Sequence, residues 1–92
     1  MPQKGLKLLE SMRRSKAGWK RRDLDRLYSA FGFLISHGAS HDIVKHPKYP
    51  HLRTTLPRHS EIAKVYVEFA VKLVDELLAL EKEHPHGPQE RS

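Results

Sequence analysis

The sequence predicts an α+β fold with the element order α-β-β-β-α, in which helices cover one face of a three-stranded antiparallel sheet. Three features point to it. An apolar stripe at helical spacing, Leu24, Leu27, Tyr28 and Phe31, marks a helix over 23–31. Three short β-prone runs, separated by glycine- or proline-containing turns, fill the middle of the chain. A long amphipathic stretch starting at Ser60 or Glu61 and ending by His84, before Pro85, predicts the last helix.

Taken in order, Leu6, Leu9 and Met12 recur at helical spacing among lysines and arginines, so 1–14 is a further short helix or a loosely attached arm. Residues 15–18 form a connection, and Trp19 is placed to pack onto the helix that follows. Asp23 and Asp25 favour the positive end of that helix dipole, and Gly32 suits its C-terminal stop. The run 33–37 leads through Gly38-Ala39-Ser40 into 41–46, which makes a β-hairpin. A proline-bounded loop, 47–51, separates this from a third strand, 52–56, stopped by Pro57. These connections are too short for parallel crossovers, so the strands are antiparallel. In the last helix, Ile62, Val65, Tyr66, Phe69, Ala70, Leu73, Leu77 and Leu80 trace one apolar side. The partition is a basic N-terminal extension (1–21), a central domain (22–83) and a flexible tail (84–92).

With 92 residues and no cysteine, the chain suits a single small domain without disulfides or thiolate-bound zinc, fitting a cytoplasmic protein. No apolar run approaches the ~20 residues of a membrane span, so no membrane partner is expected. The net charge of +6 is uneven: residues 1–26 carry +6, 27–60 carry +3 and 61–92 carry −3. A basic half beside an acidic C-terminal element points to a polyanion, most simply nucleic acid, with a solvated surface as the plain alternative.

The basic half also holds "HGASHDIVKHP" (37–47), with His37, His41 and His46 close together. Metal binding fits poorly. His41 and His46 differ by five positions and point to opposite faces of a strand, and no third ligand stands at a recognised spacing. Neither a metal nor another cofactor is expected. RNA chemistry fits better: imidazole titrates near neutrality and can move a proton to or from a ribose hydroxyl. Arg58, Arg53, Lys45 and Lys48 would neutralise the phosphate, and the Gly38–Ser40 turn would offer backbone N–H groups.

These same residues carry a resemblance. "HGASHDIVKHP" followed by "LPRHSEI" (56–62) resembles the HicA (YcfA-like) messenger-RNA interferases of toxin–antitoxin pairs. The matching positions include Gly32-Phe33, Gly38, Ser40, His41, Asp42, Ile43, Pro47, Pro57, Arg58, His59, Glu61 and Ile62, and the likeness extends over about residues 22–75. It implies a double-stranded-RNA-binding-domain-like fold and metal-independent cleavage of mRNA, with His41 as the catalytic residue. It also implies a HicB-type antitoxin as protein partner, with DNA bound only indirectly through that complex. Val44 stands where the family usually has an aromatic residue, which would remove a base-stacking surface. The last helix lacks the family's Gly-Thr-x-Arg opening.

The expected site is therefore catalytic His41, with Gly38, Ser40, Lys45, Arg53, Arg58 and His59 holding RNA. Gly38 would allow a positive φ or a close approach of the RNA backbone. His59 would bind phosphate or fix the start of the last helix. Asp42, pointing away from its neighbour His41, is expected to stabilise the turn, and Tyr49 to pack or to stack on a base. Two other readings stand beside this one. The chain is a non-catalytic RNA-binding module, or a protein-interaction subunit that uses its long acidic helix.

Overall fold

The computed structural model describes residues 3–83, with side chains from Gly5 onward; the expected tail, with His84 and His86, lies outside the described residues. The order is α1 (Gln3–Arg14), α2 (Arg21–Ala30), β1 (Leu34–His37), β2 (Asp42–Lys45), β3 (Arg53–Leu56) and α3 (Lys64–Glu83). The strands form one antiparallel sheet in the order β1-β2-β3, so the α+β class and the antiparallel meander agree with the sequence.

The β2 burial pattern shows how the sheet is dressed. Asp42 and Val44 are buried, whereas Lys45 is exposed. In register, Val44 lies opposite Ile35 on β1 and Thr54 on β3, and these positions face the helices. Burial of Val44 is complete, so the side chain is a core element and not a surface on which a base could stack.

The N-terminal helix α1 belongs to the same packing unit as the rest. Leu9 and Met12 are buried in one cluster with Leu24, Leu27, Val74 and Leu77, and α1 packs on both α2 and α3. Arg13 makes a two-pronged ion pair with Asp75, at 3.1 and 2.5 Å, which fastens α1 to the middle of α3. Trp19 packs against the core and donates its ring N–H to the Ser15 carbonyl (2.8 Å).

Two helix starts differ from the expectation, each for a reason of its own. Helix α2 begins at Arg21 because the Asp23 carboxylate turns back to accept the Lys20 backbone N–H at 2.9 Å. Helix α3 begins only at Lys64 because the preceding segment is bound to α2 instead. Arg21 N–H donates to the Ser60 carbonyl (2.9 Å), and Lys20 bridges to Glu61 through both backbone and side chain. Gly32 has φ +85°, the left-handed conformation that ends α2 as anticipated.

The buried face of α3 is rotated from the expected one. Val67, Ala70, Val71, Leu73, Val74 and Leu77 are buried, whereas Val65 is 60% and Phe69 43% exposed. The helix is amphipathic, with Lys64, Glu68, Lys72, Asp75 and Glu76 on one side, but its apolar arc is wide enough that more than one stripe satisfies the periodicity. Packing against α1 as well as α2 selects the one that is used.

Candidate functional site

The site is built around the β1–β2 hairpin. His37 lies opposite Asp42, and the Gly38 N–H donates to the His41 carbonyl at 2.9 Å, leaving Ala39 and Ser40 as the turn. Alternation along the paired strands places Leu34 and Ser36 of β1, Ile43 and Lys45 of β2, and Arg53 and Thr55 of β3 on the sheet face turned away from the helices. Gly38 and His41 flank the turn one residue beyond the strand ends, and continuing the same alternation puts them at the edge of that face. The Ile43 side chain reaches to 3.3 Å from where a Gly38 Cβ would sit, as a shared face requires. This face is open: Leu34 is 63% exposed, and His41, Lys45 and Arg53 are exposed as well. It therefore combines an imidazole, two cations, two hydroxyls and a small apolar patch on one surface.

The other face of the hairpin carries a buried carboxylate. Asp42 accepts from Arg58 Nε (2.9 Å) and His37 Nδ1 (2.7 Å) on Oδ1, and pairs with Arg21 (2.7 Å) through Oδ2. Those hydrogen bonds, from Arg58 first, then Arg21 and His37, hold its pKa well below the usual carboxylate range. Burial works against the charge on Arg21, but its hydrogen bonds to Asp25 and Asp42 outweigh this and keep its pKa raised. Arg21 also donates to the Pro57 carbonyl (2.8 Å), so the first turn of α2 holds both β2 and the exit of β3.

Sequence reasoning correctly separates Asp42 from His41, but it does not identify the partner, which is His37 across the ladder. Nor does it foresee Arg21. The available signal was the register: a two-residue turn at Ala39-Ser40 necessarily sets His37 against Asp42. Gly38 does not adopt the expected positive φ; among the described residues that conformation occurs at Gly18 and Gly32. Its glycine is required by crowding, since an added Cβ would sit 2.5 Å from the His41 carbonyl oxygen.

The remaining expected RNA contacts fall in different places. Lys45 and Arg53 are adjacent cross-strand partners on the open face. Ser40 is exposed at the outer corner of the turn, and His59 is exposed in the loop before α3. Arg58 is engaged within the protein: besides Asp42, it donates through Nη2 to the Gly38 carbonyl. Lys48, another expected cation, lies 3.7 Å from Glu81.

His46, the third histidine of the cluster, is structural. It is buried edge-on to Phe33 at 4.9 Å, neighbours Tyr49, and accepts the Lys48 backbone N–H on Nδ1 at 3.1 Å. Burial lowers its pKa, against smaller opposing effects of the Phe31 backbone and Glu81. Tyr49 is likewise buried, which takes it away from any base. Among the described residues no group of three histidines or carboxylates is arranged to hold a metal ion, and no helix is long and apolar enough to cross a membrane. Comparison of the chain with protein-family models, curated proteins and solved structures returned no match.

Proposed function

We propose that the chain is a small cytoplasmic endoribonuclease of the HicA toxin kind, with the open sheet face as its RNA surface and His41 as its proton-transfer group. One observation carries this reading: Lys45 and Arg53 are cross-strand partners on the uncovered sheet face, and exposed His41 stands at the turn immediately before β2, where the strand alternation continues onto that face. RNA lying along β2 would meet the two cations through its phosphates. The imidazole would take the proton from a ribose 2′-OH as that oxygen attacks the adjacent phosphorus. The bond to the 5′-oxygen breaks, and the proton now on the imidazole is available to the departing oxygen. The products are a 2′,3′-cyclic phosphate and a 5′-hydroxyl, with no metal in the step. The residue pattern of 37–62 supports the family reading, in which a HicB-type antitoxin would cover this face and link the pair to DNA.

The test is in vitro cleavage of a defined mRNA in EDTA by wild-type protein and by H41A, with end-group analysis of the fragments. Cyclic-phosphate ends from wild type and their loss in H41A support the proposal. Equal cleavage by both proteins removes His41 from the mechanism.

A non-catalytic RNA-binding module is the second reading. It is favoured by the placement of the buried carboxylate, which orients His37 and leaves His41 to act alone. In that case wild type binds RNA and leaves it intact, and K45E/R53E abolishes binding while H41A does not.

A further inference from the structure

We infer that Arg58 is a positioning residue, which fixes the hairpin tip that presents His41, and not a contact to the RNA phosphate. This rests on the RNA-cleaving reading above and assigns a role within the same site.

The Gly38 peptide is held from both sides. Its N–H donates to the His41 carbonyl at 2.9 Å, and its own carbonyl accepts from Arg58 Nη2. The same guanidinium donates through Nε to Asp42, which is buried and anchored in turn by Arg21 from the start of α2. A chain of hydrogen bonds thus runs from the helix layer through Asp42 and Arg58 to the turn, ending on the residue that follows it. Without the fork, the turn carbonyl would lose its hydrogen-bonded link to the buried carboxylate, and His37 alone would tie the end of β1 to it.

The geometry requires arginine specifically. Its planar fork carries donors far enough apart to serve a carboxylate on one strand and a turn carbonyl beyond the strand end. A lysine ammonium is a point donor and cannot span both acceptors. Arg58 is still 42% exposed, so its charge alone would also suit a phosphate contact. The two roles differ in what a lysine can replace.

The experiment compares R58A and R58K with wild type in three measurements: cleavage kinetics on a defined RNA, the salt dependence of binding to a fluorescent single-stranded RNA, and amide exchange at Gly38. A positioning role predicts that both variants lose about tenfold to a hundredfold in kcat, the scale of a small misplacement of a reacting group, with KM within about twofold. The slope of log K against log salt stays at the wild-type value, and the Gly38 amide exchanges about five to ten times faster in both. A phosphate contact predicts instead that R58A lowers that slope by about 0.7, while R58K keeps the slope, the affinity and kcat; that result overturns the inference. If wild type cleaves no RNA, the nuclease reading fails on its own. Gly38 exchange then still decides the clamp: faster exchange in both variants sustains it, and unchanged exchange refutes it.

Discussion

Replacing Gly38 with alanine introduces a methyl group at the most crowded point of the hairpin. The new Cβ would lie 2.5 Å from the His41 carbonyl oxygen, against a floor of 3.0 Å for real Cβ contacts, so the two strand ends must part by at least half an ångström. The obstructing atom is backbone and cannot rotate aside. Parting the ends breaks or stretches the Gly38 N–H to His41 carbonyl bond, now 2.9 Å, at a net cost of about 1 kcal/mol. Displacing the Gly38 carbonyl from Arg58 adds to this, for a total of about 1–2 kcal/mol once solvent exposure of that pair is allowed for. In a domain of this size such a loss lowers Tm by about 5–15 °C. Urea unfolding followed by circular dichroism should show the midpoint falling with the m value unchanged. Because the disturbed carbonyl belongs to His41, RNA cleavage at a temperature where the variant remains folded should fall more steeply than stability does. A G38A protein melting within about 2 °C of wild type would refute the crowding argument and restore a ligand-related reason for the glycine.

Four further outcomes are expected. M12A should lose about 2–5 kcal/mol in urea unfolding, because Met12 is completely buried where α1 meets the other helices. V44Y should destabilise by about 1–3 kcal/mol or more and gain no RNA affinity in a binding titration, since the side chain would enter the core and not the open face. Unfolding free energy should decline as pH falls below about 6.5, because an unfolded His46 binds a proton there while the buried one, with its lowered pKa, resists; H46F should flatten that slope. Asp42 is depressed in the folded state, so its contribution is complete above the unfolded carboxylate range and is lost as pH falls through and below about 4, a dependence that D42N should reduce in acid titrations.

Several elements were legible because they depend on local chemistry. Gly32 stops α2 for the conformational reason its position suggests, and the turns at 38–41 and 46–52 follow from glycine and proline. The antiparallel order needs only short connections. What stayed hidden depends on tertiary choice. The rotation of α3 within its wide apolar arc was decided by packing against α1, whose own role was ambiguous between helix and arm. The start of α3 depends on Lys20 and Arg21 capturing residues 60–61, a contact across about forty positions. At the candidate site, the pairing of Lys45 with Arg53 on one face, with His41 at the turn that leads into the same strand, follows from strand alternation. The engagement of Arg58 with Asp42 and Gly38 does not, because a cation in a basic segment has the same appearance whether it meets a phosphate or a neighbouring carboxylate.

The ion pair between Arg13 and Asp75 joins positions 62 apart, and the cluster around Met12 is completed by Val74 and Leu77. During synthesis the chain emerges N-terminus first at about 5–20 residues per second, so α1 leaves the ribosome seconds before its seat on α3 exists. Until then Leu9 and Met12 have only part of their final surroundings, and the sheet lacks the helix that completes its cover. The nascent protein therefore cannot assemble its finished core until translation has passed through nearly the whole described chain, and a message cut within the last helix would yield a product without the native fold.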